Sequence, residues 1–303
     1  IPTGRHLYGV FALNEDEVWV VGDRGTILRY DGKNWNIVAS PTKENLRDIY
    51  MNAPSEGWAV GYNGTILRWN GSEWSTVLSP TSDVLYGISF SSPTDGWIVG
   101  RDGTILRWNG ENWENIESPT SENLYDVYAL SSTEAWAVGK NGTIIRWDGT
   151  KWENIEAPTH ESLGTIHMLS STEGWIGSYK TILRWNGSTW NVYFFTSDPV
   201  RFTSIWMNSA NDGWAIGYEL HNGFYKGKIY RWDGRSWVEK ETHLGEALGE
   251  IHMSDPNSGW IVGSSGLLLK YEPPQSPVNG LLLVLVLDGI VLTPALLLLW
   301  KKA

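Results

Sequence analysis

Residues 124–157 read LYDVYALSSTEAWAVGKNGTIIRWDGTKWENIEA. Four runs in this stretch have strand composition: LYDVYAL (124–130), AWAVGK (135–140), TIIRW (143–147) and WENIEA (152–157). They are separated by SSTE, by Asn141-Gly142 and by Asp148-Gly149. Asn-Gly and Asp-Gly between β-rich runs favour tight hairpins, because both turn positions tolerate positive φ. The stretch therefore predicts a meander of four short antiparallel strands.

The unit recurs along the chain. Its first position is occupied by Leu7, Leu46, Leu85, Leu124, Leu163, Phe202 and Leu248, at spacings of 39 residues five times and then 46. Repeats near 40 residues, each holding four strands, are the signature of β-propeller blades. Residues 1–272 are thus expected to form an all-β, seven-bladed propeller of four-stranded antiparallel blades. The seventh unit reaches its third strand at LLLKY (267–271) and runs into PPQSP without a fourth. At the other end, IPTGRH matches the SPTKEN and SPTSEN connections that follow a fourth strand, which predicts a closing strand upstream of residue 1 or another segment in its place. The chain starts at Ile1 instead of Met, so an upstream segment is expected, a signal peptide being the first candidate.

Eighteen of the twenty tryptophans occupy three repeat positions, on the second, third and fourth strands. A residue that recurs once per blade serves what every blade needs, which is packing against its neighbour. Large aromatics bury roughly 150–250 Å² each and suit the wedge between sheets. By the same logic Arg29, Arg68, Arg107, Arg146, Arg184 and Arg231, with Lys270 in the seventh unit, are expected to pair with backbone carbonyls or acids near the blade rim. The sequons at Asn63, Asn70, Asn141 and Asn186 fall in Asn-Gly turns and are candidate N-glycosylation sites on an extracytoplasmic surface.

The unit WxVGxxGTIxRWxGxxW resembles the BNR or Asp-box-like propeller repeat. Within that group it is most similar to the photosystem II assembly and stability factor type and to related bacterial and archaeal surface propellers. The resemblance covers residues 1 to about 272 and implies the fold; propellers host unrelated activities, so function must come from the site. Two neighbouring repeat types fit less well. The sialidase order Ser-x-Asp-x-Gly-x-Thr-Trp is replaced by Asn109-Gly110-Glu111-Asn112-Trp113, and no Gly-His opens the units as in WD repeats.

Composition removes several classes. A net charge of −11 from 23 basic and 34 acidic residues leaves no basic footprint for nucleic acid. The absence of cysteine excludes disulfides and thiolate metal sites, and for an exterior protein it fits a bacterium or archaeon better than an animal secretory route. A sialidase needs three arginines on the substrate carboxylate, a Tyr–Glu pair and an acid. Apart from the repeat-position arginines, Arg5, Arg24, Arg47, Arg101, Arg201 and Arg235 remain, and no local pattern selects a trio. With no nucleophile elbow, P-loop or metal spacing either, the chain is expected not to be an enzyme and to need no cofactor or metal.

Function in a propeller is sought where the blades differ. On the first strand, position five reads Phe11, Tyr50, Ser89, Tyr128, His167, Trp206 and His252. Position three, on the same face, reads Gly9, Asp48, Gly87, Asp126, Thr165, Ser204 and Glu250. Asp48, Tyr50, Asp126, Tyr128, His167, Trp206, Glu250 and His252 are therefore the channel-face binding candidates, read either as a polar-aromatic pocket or as a packed channel with hydrogen-bonded histidines. The sixth unit gains seven residues in YELHNGFYKGK (218–228), and its Tyr218, Phe224, Tyr225, Lys226 and Lys228 suit contact with a protein partner.

The remaining segment divides into a Pro-rich linker (273–279), an apolar run (280–300) and a basic tail (301–303). About twenty apolar residues can cross a hydrocarbon core, so a transmembrane helix is expected, with Trp300 at the interface and Lys301-Lys302 in the cytoplasm. Asp288 near its centre is expected to face an intramembrane partner. The reading is a membrane-anchored, extracytoplasmic propeller serving as a scaffold, assembly factor or accessory subunit of a membrane complex. The alternative is a glycan-binding or glycoside-hydrolase propeller at the cell surface.

Overall fold

The computed structural model describes residues 4–272, 282–287 and 290–292. Seven sheets follow one another along the chain, each an antiparallel meander in which spatial order equals sequence order. Their inner strands are Leu7–Asn14, Leu46–Ala53, Leu85–Ser92, Leu124–Ser131, Thr165–Ser170, Val200–Ser209 and Leu248–Asp255. In blade four the strands are Leu124–Ser131, Glu134–Gly139, Ile144–Trp147 and Trp152–Ile155, close to the sequence expectation. The seven-bladed, four-stranded architecture is thus observed.

The glycine turns are of two kinds. Between second and third strands four residues, such as 62–65, separate Gly61 from Ile66, so this loop is longer than a two-residue hairpin. Asn63 (φ 52°) and Gly64 (φ 63°) both occupy the left-handed region there, which is why Asn-Gly serves. Between third and outer strands, the Asp148 carboxylate accepts N–H groups of Thr150 and Lys151 at 2.7 and 2.9 Å. That turn is an Asx-type turn closed by a side chain.

An aromatic triad holds six of the seven blade boundaries, and Trp214 with Tyr271 holds blade six to blade seven. Trp19 of blade one meets Trp69 and Trp74 of blade two at 4.9 and 5.6 Å between ring centroids. The same contact recurs between Trp58, Trp108 and Trp113, and between Trp136, Trp185 and Trp190. Trp260 of blade seven meets Tyr30 and Trp35 of blade one at 5.2 and 5.0 Å, which closes the ring. The second-strand tryptophans are no more than 3 % exposed, so they pack blades and do not present a sugar-stacking surface.

In blades one to six the second-strand indole also carries a guanidinium. Arg29 lies over Trp19 at 5.1 Å and pairs with Glu17 at 2.7 Å. Arg68–Glu56, Arg107–Asp95, Arg146–Glu134, Arg184–Glu173 and Arg231–Asp212 repeat the pair. These arginines find acids at the rim, as their recurrence implied. In blade seven Lys270 stands over Trp260, and Ser258 occupies the position of the acid.

The C-terminal segment departs from expectation. A transmembrane helix was anticipated over 280–300, yet Leu282–Leu287 is a strand on the third strand of blade seven, pairing Leu269 with Leu285 and Tyr271 with Leu283. Ile290–Leu292 adds a fifth strand. The physical reason lies in the exposed edge: the strand Leu268–Glu272 presents unpaired N–H and C=O groups, and a short Leu/Val run serves equally well as helix or buried strand. Among the described residues no helix is long and apolar enough to cross a membrane. The linker 273–279, Asp288, Trp300 and the tail 301–303 lie outside the described residues.

One constraint explains the glycine ending most second strands. A Cβ on Gly139 would stand 2.0 Å from the carbonyl oxygen of Asn123, where the connection enters the inner strand of the same blade, and Gly61 meets Asn45 likewise at 2.1 Å. Gly139→Ala is expected to destabilise the protein by about 1–3 kcal/mol, as overpacking against backbone does. Thermal unfolding checks this, with the exposed Lys43→Ala variant as the comparison.

Candidate functional site: the channel and its two mouths

Each inner strand has no strand on its channel side, so its N–H groups there need other acceptors. Position three supplies them across the blade boundary. Val10 N–H donates to Glu250 Oε2 (2.6 Å), Ile88 to Asp48 Oδ2 (2.8 Å) and Ile166 to Asp126 Oδ2 (2.8 Å). Ile205 and Ile251 donate to Thr165 Oγ1 and Ser204 Oγ, each at 3.3 Å. Gly9 and Gly87 have no side chain to offer. The next blade compensates with its own aspartate: Ile49 donates to Asp48 Oδ1 (2.7 Å) and Val127 to Asp126 Oδ1 (2.8 Å). All seven position-four N–H groups are thereby satisfied. Position five continues the pattern, since Ala12 N–H donates to His252 Nδ1 (3.2 Å) and Ala129 N–H to Ser89 Oγ (3.0 Å).

This arrangement concentrates three carboxyl groups at the channel waist. Desolvation pushes Asp48 up to about 7 and Asp126 up to about 6, in both cases against the N–H groups they accept. Glu250 is raised well above the usual carboxylate range by desolvation and then by Asp48 and Asp126. His167 and His252 are driven the other way, to about 3, because burial disfavours the imidazolium. At neutral pH the waist therefore holds neutral histidines and carboxyl groups close to their titration range.

Two cavities meet at this waist, and Asp48, Asp126, Thr165, Ser204 and Glu250 line both. The one where the inner strands begin has a volume of about 450 Å³ and a rim of Tyr8, Arg47, Tyr86, Tyr125, Arg201, Tyr218 and Tyr225. Arg47 stacks between Tyr8 (4.3 Å) and Tyr86 (5.9 Å), and Tyr86 meets Tyr125 edge-on at 5.6 Å. Neither Arg47 nor Arg201 makes an ion pair among the described residues. The cavity where the inner strands end measures about 440 Å³ and is lined by Phe11, Tyr50, Tyr128, His167, Trp206 and His252.

All eight channel-face candidates thus converge on the channel, the three acids as backbone caps as well as lining groups. Tyr8, Arg47, Tyr86, Tyr125 and Arg201 were not anticipated. Strict alternation puts position two on the face of the core residue at position four, but the strands bulge there: the register slips between Leu7 and Gly9, and between Leu124 and Asp126. The bulge re-aims position two at the mouth. A recurring Tyr or Arg directly after the constant first position was the available signal.

The blade-six insertion extends its second and third strands to Asp212–His221 and Phe224–Trp232. Tyr218 and Tyr225 line the first cavity and pack on each other at 5.2 Å, while Phe224 (77 % exposed) and Lys226 lie at the exposed tip. Lys228 is not a contact for a partner. It is 3 % exposed, with Nζ at 2.7 Å from Glu219 and Glu239 and 3.1 Å from Asp198. Burial opposes its charge, but the three carboxylates outweigh burial and raise its pKa, so it pins the hairpin's base. Of the sequon asparagines, Asn63, Asn70, Asn141 and Asn186 are all exposed, Asn63 and Asn141 on the face of the first cavity and the other two on the opposite face.

No protein-family model matches the sequence, and no curated protein is similar to it. Solved structures are similar in fold. A structure of YCF48 bound to a D1 peptide superposes with a TM-score of 0.74 at 19% identity, over 90% of this chain and 94% of that one. YCF48 from Cyanidioschyzon merolae gives 0.71 at 19% identity, over 90% and 97%. The WD40 propeller domain of Doa1 gives 0.74 at 13% identity, over 91% and 95%. At these identities the likeness establishes the propeller and nothing finer.

The waist makes stability depend on pH in a defined direction. An acid whose folded pKa is raised binds its proton more tightly in the fold, so its stabilisation is full below about pH 4 and is lost as pH rises through the folded value. The depressed histidines act oppositely, with stability lost as pH falls below about 6.5. Glu250→Gln keeps an acceptor for Val10 and deletes the charge. Its melting midpoint is expected to exceed that of the parent by several degrees at pH 8, at roughly 2–4 °C per kcal/mol, with no gain at pH 4. Equal differences at both pH values would contradict the assignment.

Proposed function

We propose that this chain is a protein-interaction propeller that holds an extended, anionic segment of a partner protein across the mouth where the inner strands begin. The carrying observation is Arg47, set between Tyr8 and Tyr86 and making no ion pair among the described residues, above a cavity of about 450 Å³. Tyrosines offer large contact area at low conformational entropy cost, and a guanidinium held flat on rings is poised for a carboxylate. Arg201 adds a second cation on the same rim, and the blade-six hairpin brings Tyr218 and Tyr225 to it. The structure of YCF48 bound to a D1 peptide supports a peptide as the kind of ligand a propeller of this fold can take. Scaffold or assembly work for a membrane complex, on the extracytoplasmic side, is part of the proposal and rests on the sequence alone.

Selection of random peptides with free C-termini on the purified chain tests this reading. Bound peptides are expected to be enriched in Asp, Glu or a terminal carboxylate near an apolar residue. Arg47→Ala should weaken them about tenfold or more, the scale of a hydrogen bond to a charged group. Peptides without acidic character, or affinities unchanged by Arg47→Ala and Tyr225→Ala, would sink the proposal.

A further inference from the structure

The second mouth has a different chemistry. Its rings form a nearly continuous wheel: Tyr128–His167 and His167–Trp206 at 4.9 Å, Trp206–His252 at 4.1 Å, His252–Phe11 at 4.2 Å and Phe11–Tyr50 at 4.8 Å. Where position five is Ser89, Phe90 completes the set at 5.4 Å from Tyr50. The wheel is pre-set by hydrogen bonds. Trp206 Nε1 donates to Asn208 Oδ1 (3.2 Å), Asn208 Nδ2 donates in turn to Asp212 Oδ2 (2.8 Å), and the Tyr50 hydroxyl donates to the Phe90 carbonyl (3.1 Å).

The charges around this cavity are of one sign. Asp48, Asp126 and Glu250 form its floor, and among the described residues no lysine or arginine lines it. An anion would meet three acids and no base. An uncharged apolar ligand would leave those acids without compensation. A hard metal ion needs several oxygens converging within one coordination shell, and among the described residues no group of three acids or histidines can hold a metal. A larger, weakly hydrated organic cation suits both features. Ring faces attract it through their quadrupoles, and carboxylates at a few ångströms balance its charge without direct ligation.

We infer that the aromatic wheel and acidic floor at the end of the inner strands form a binding site for an alkylated ammonium group, either of a small quaternary amine or of a methylated lysine side chain. Binding a cation favours the ionised form of Asp48, Asp126 and Glu250, so protons leave as it enters. The neutral His167 and His252 and the hydroxyls of Tyr50 and Tyr128 stay uncharged around it, while Arg47 faces the opposite mouth. Affinity should therefore rise with pH between about 5.5 and 7.5.

Calorimetric titration of the full chain with tetramethylammonium, choline and a trimethyl-lysine peptide tests the site, with 3,3-dimethylbutanol as choline's uncharged isostere. Saturable binding of the cations, at least about tenfold tighter than the isostere, is expected. Trp206→Leu and Tyr128→Leu should each weaken binding about 5- to 30-fold. Glu250→Gln should weaken it and reduce the protons released, read from the dependence of the heat on buffer ionisation. Binding of the peptide alone assigns the site to a partner's side chain, whereas binding of the free amines as well includes small molecules; both support the inference. Three results would overturn it: no saturable cation binding, equal affinity for the isostere, or unchanged affinity in both ring variants at parental melting midpoints. None of these depends on what binds at Arg47.

Discussion

Seven backbone N–H groups, one at position four of each inner strand, point into the channel of this propeller and must find acceptors there. That requirement dictates the polar character of a surface that packing alone would make apolar. It explains why position three is Asp, Glu, Ser or Thr wherever it is not glycine. It also explains why aspartate, with two oxygens, follows each glycine-bearing blade: Asp48 serves Ile49 and Ile88, and Asp126 serves Val127 and Ile166. A serine or threonine in their place has one oxygen and would leave an amide unsatisfied.

The same requirement has an electrostatic consequence. Three carboxyl groups are brought together in a desolvated ring, where burial raises the proton affinity of all three and Asp48 and Asp126 raise that of Glu250 further. The waist so formed divides the channel into two chambers of similar volume and different lining. Above it stand stacked tyrosines and two arginines, and below it a wheel of aromatic and imidazole rings. Packing between neighbouring blades comes from the aromatic contacts of second, third and outer strands, whereas the Arg–acid pairs each lie within one blade.

Much of this was legible in the sequence. A 39-residue period, with glycine turns at fixed offsets, specifies blades and strands because each local choice repeats and cannot be accidental. The recurrence of Trp and Arg marked them as structural for the same reason. The channel-face residues followed from alternation along a strand. Alternation failed at Tyr8, Arg47, Tyr86 and Tyr125, where a bulge in the inner strand turns position two toward the mouth. It also could not show that Lys228 is buried among Glu219, Glu239 and Asp198, since those acids lie on neighbouring strands and on the connection from blade five.

The apolar run after residue 280 illustrates the limit in another way. Hydropathy and length described a membrane helix, whereas in the fold Leu282–Leu287 meets an edge left open by the third strand of blade seven. An apolar segment adopts whichever conformation satisfies its backbone, and the partner that decides is distant in sequence. By itself the sequence determined what recurs: seven blades, their strands, turns and packing residues, all set by short-range pattern. Tertiary structure alone decided what the unlike residues at equivalent positions do together. Ring closure brings side chains from seven separate repeats within a few ångströms, and their hydrogen bonds, charges and ring contacts exist only after that closure.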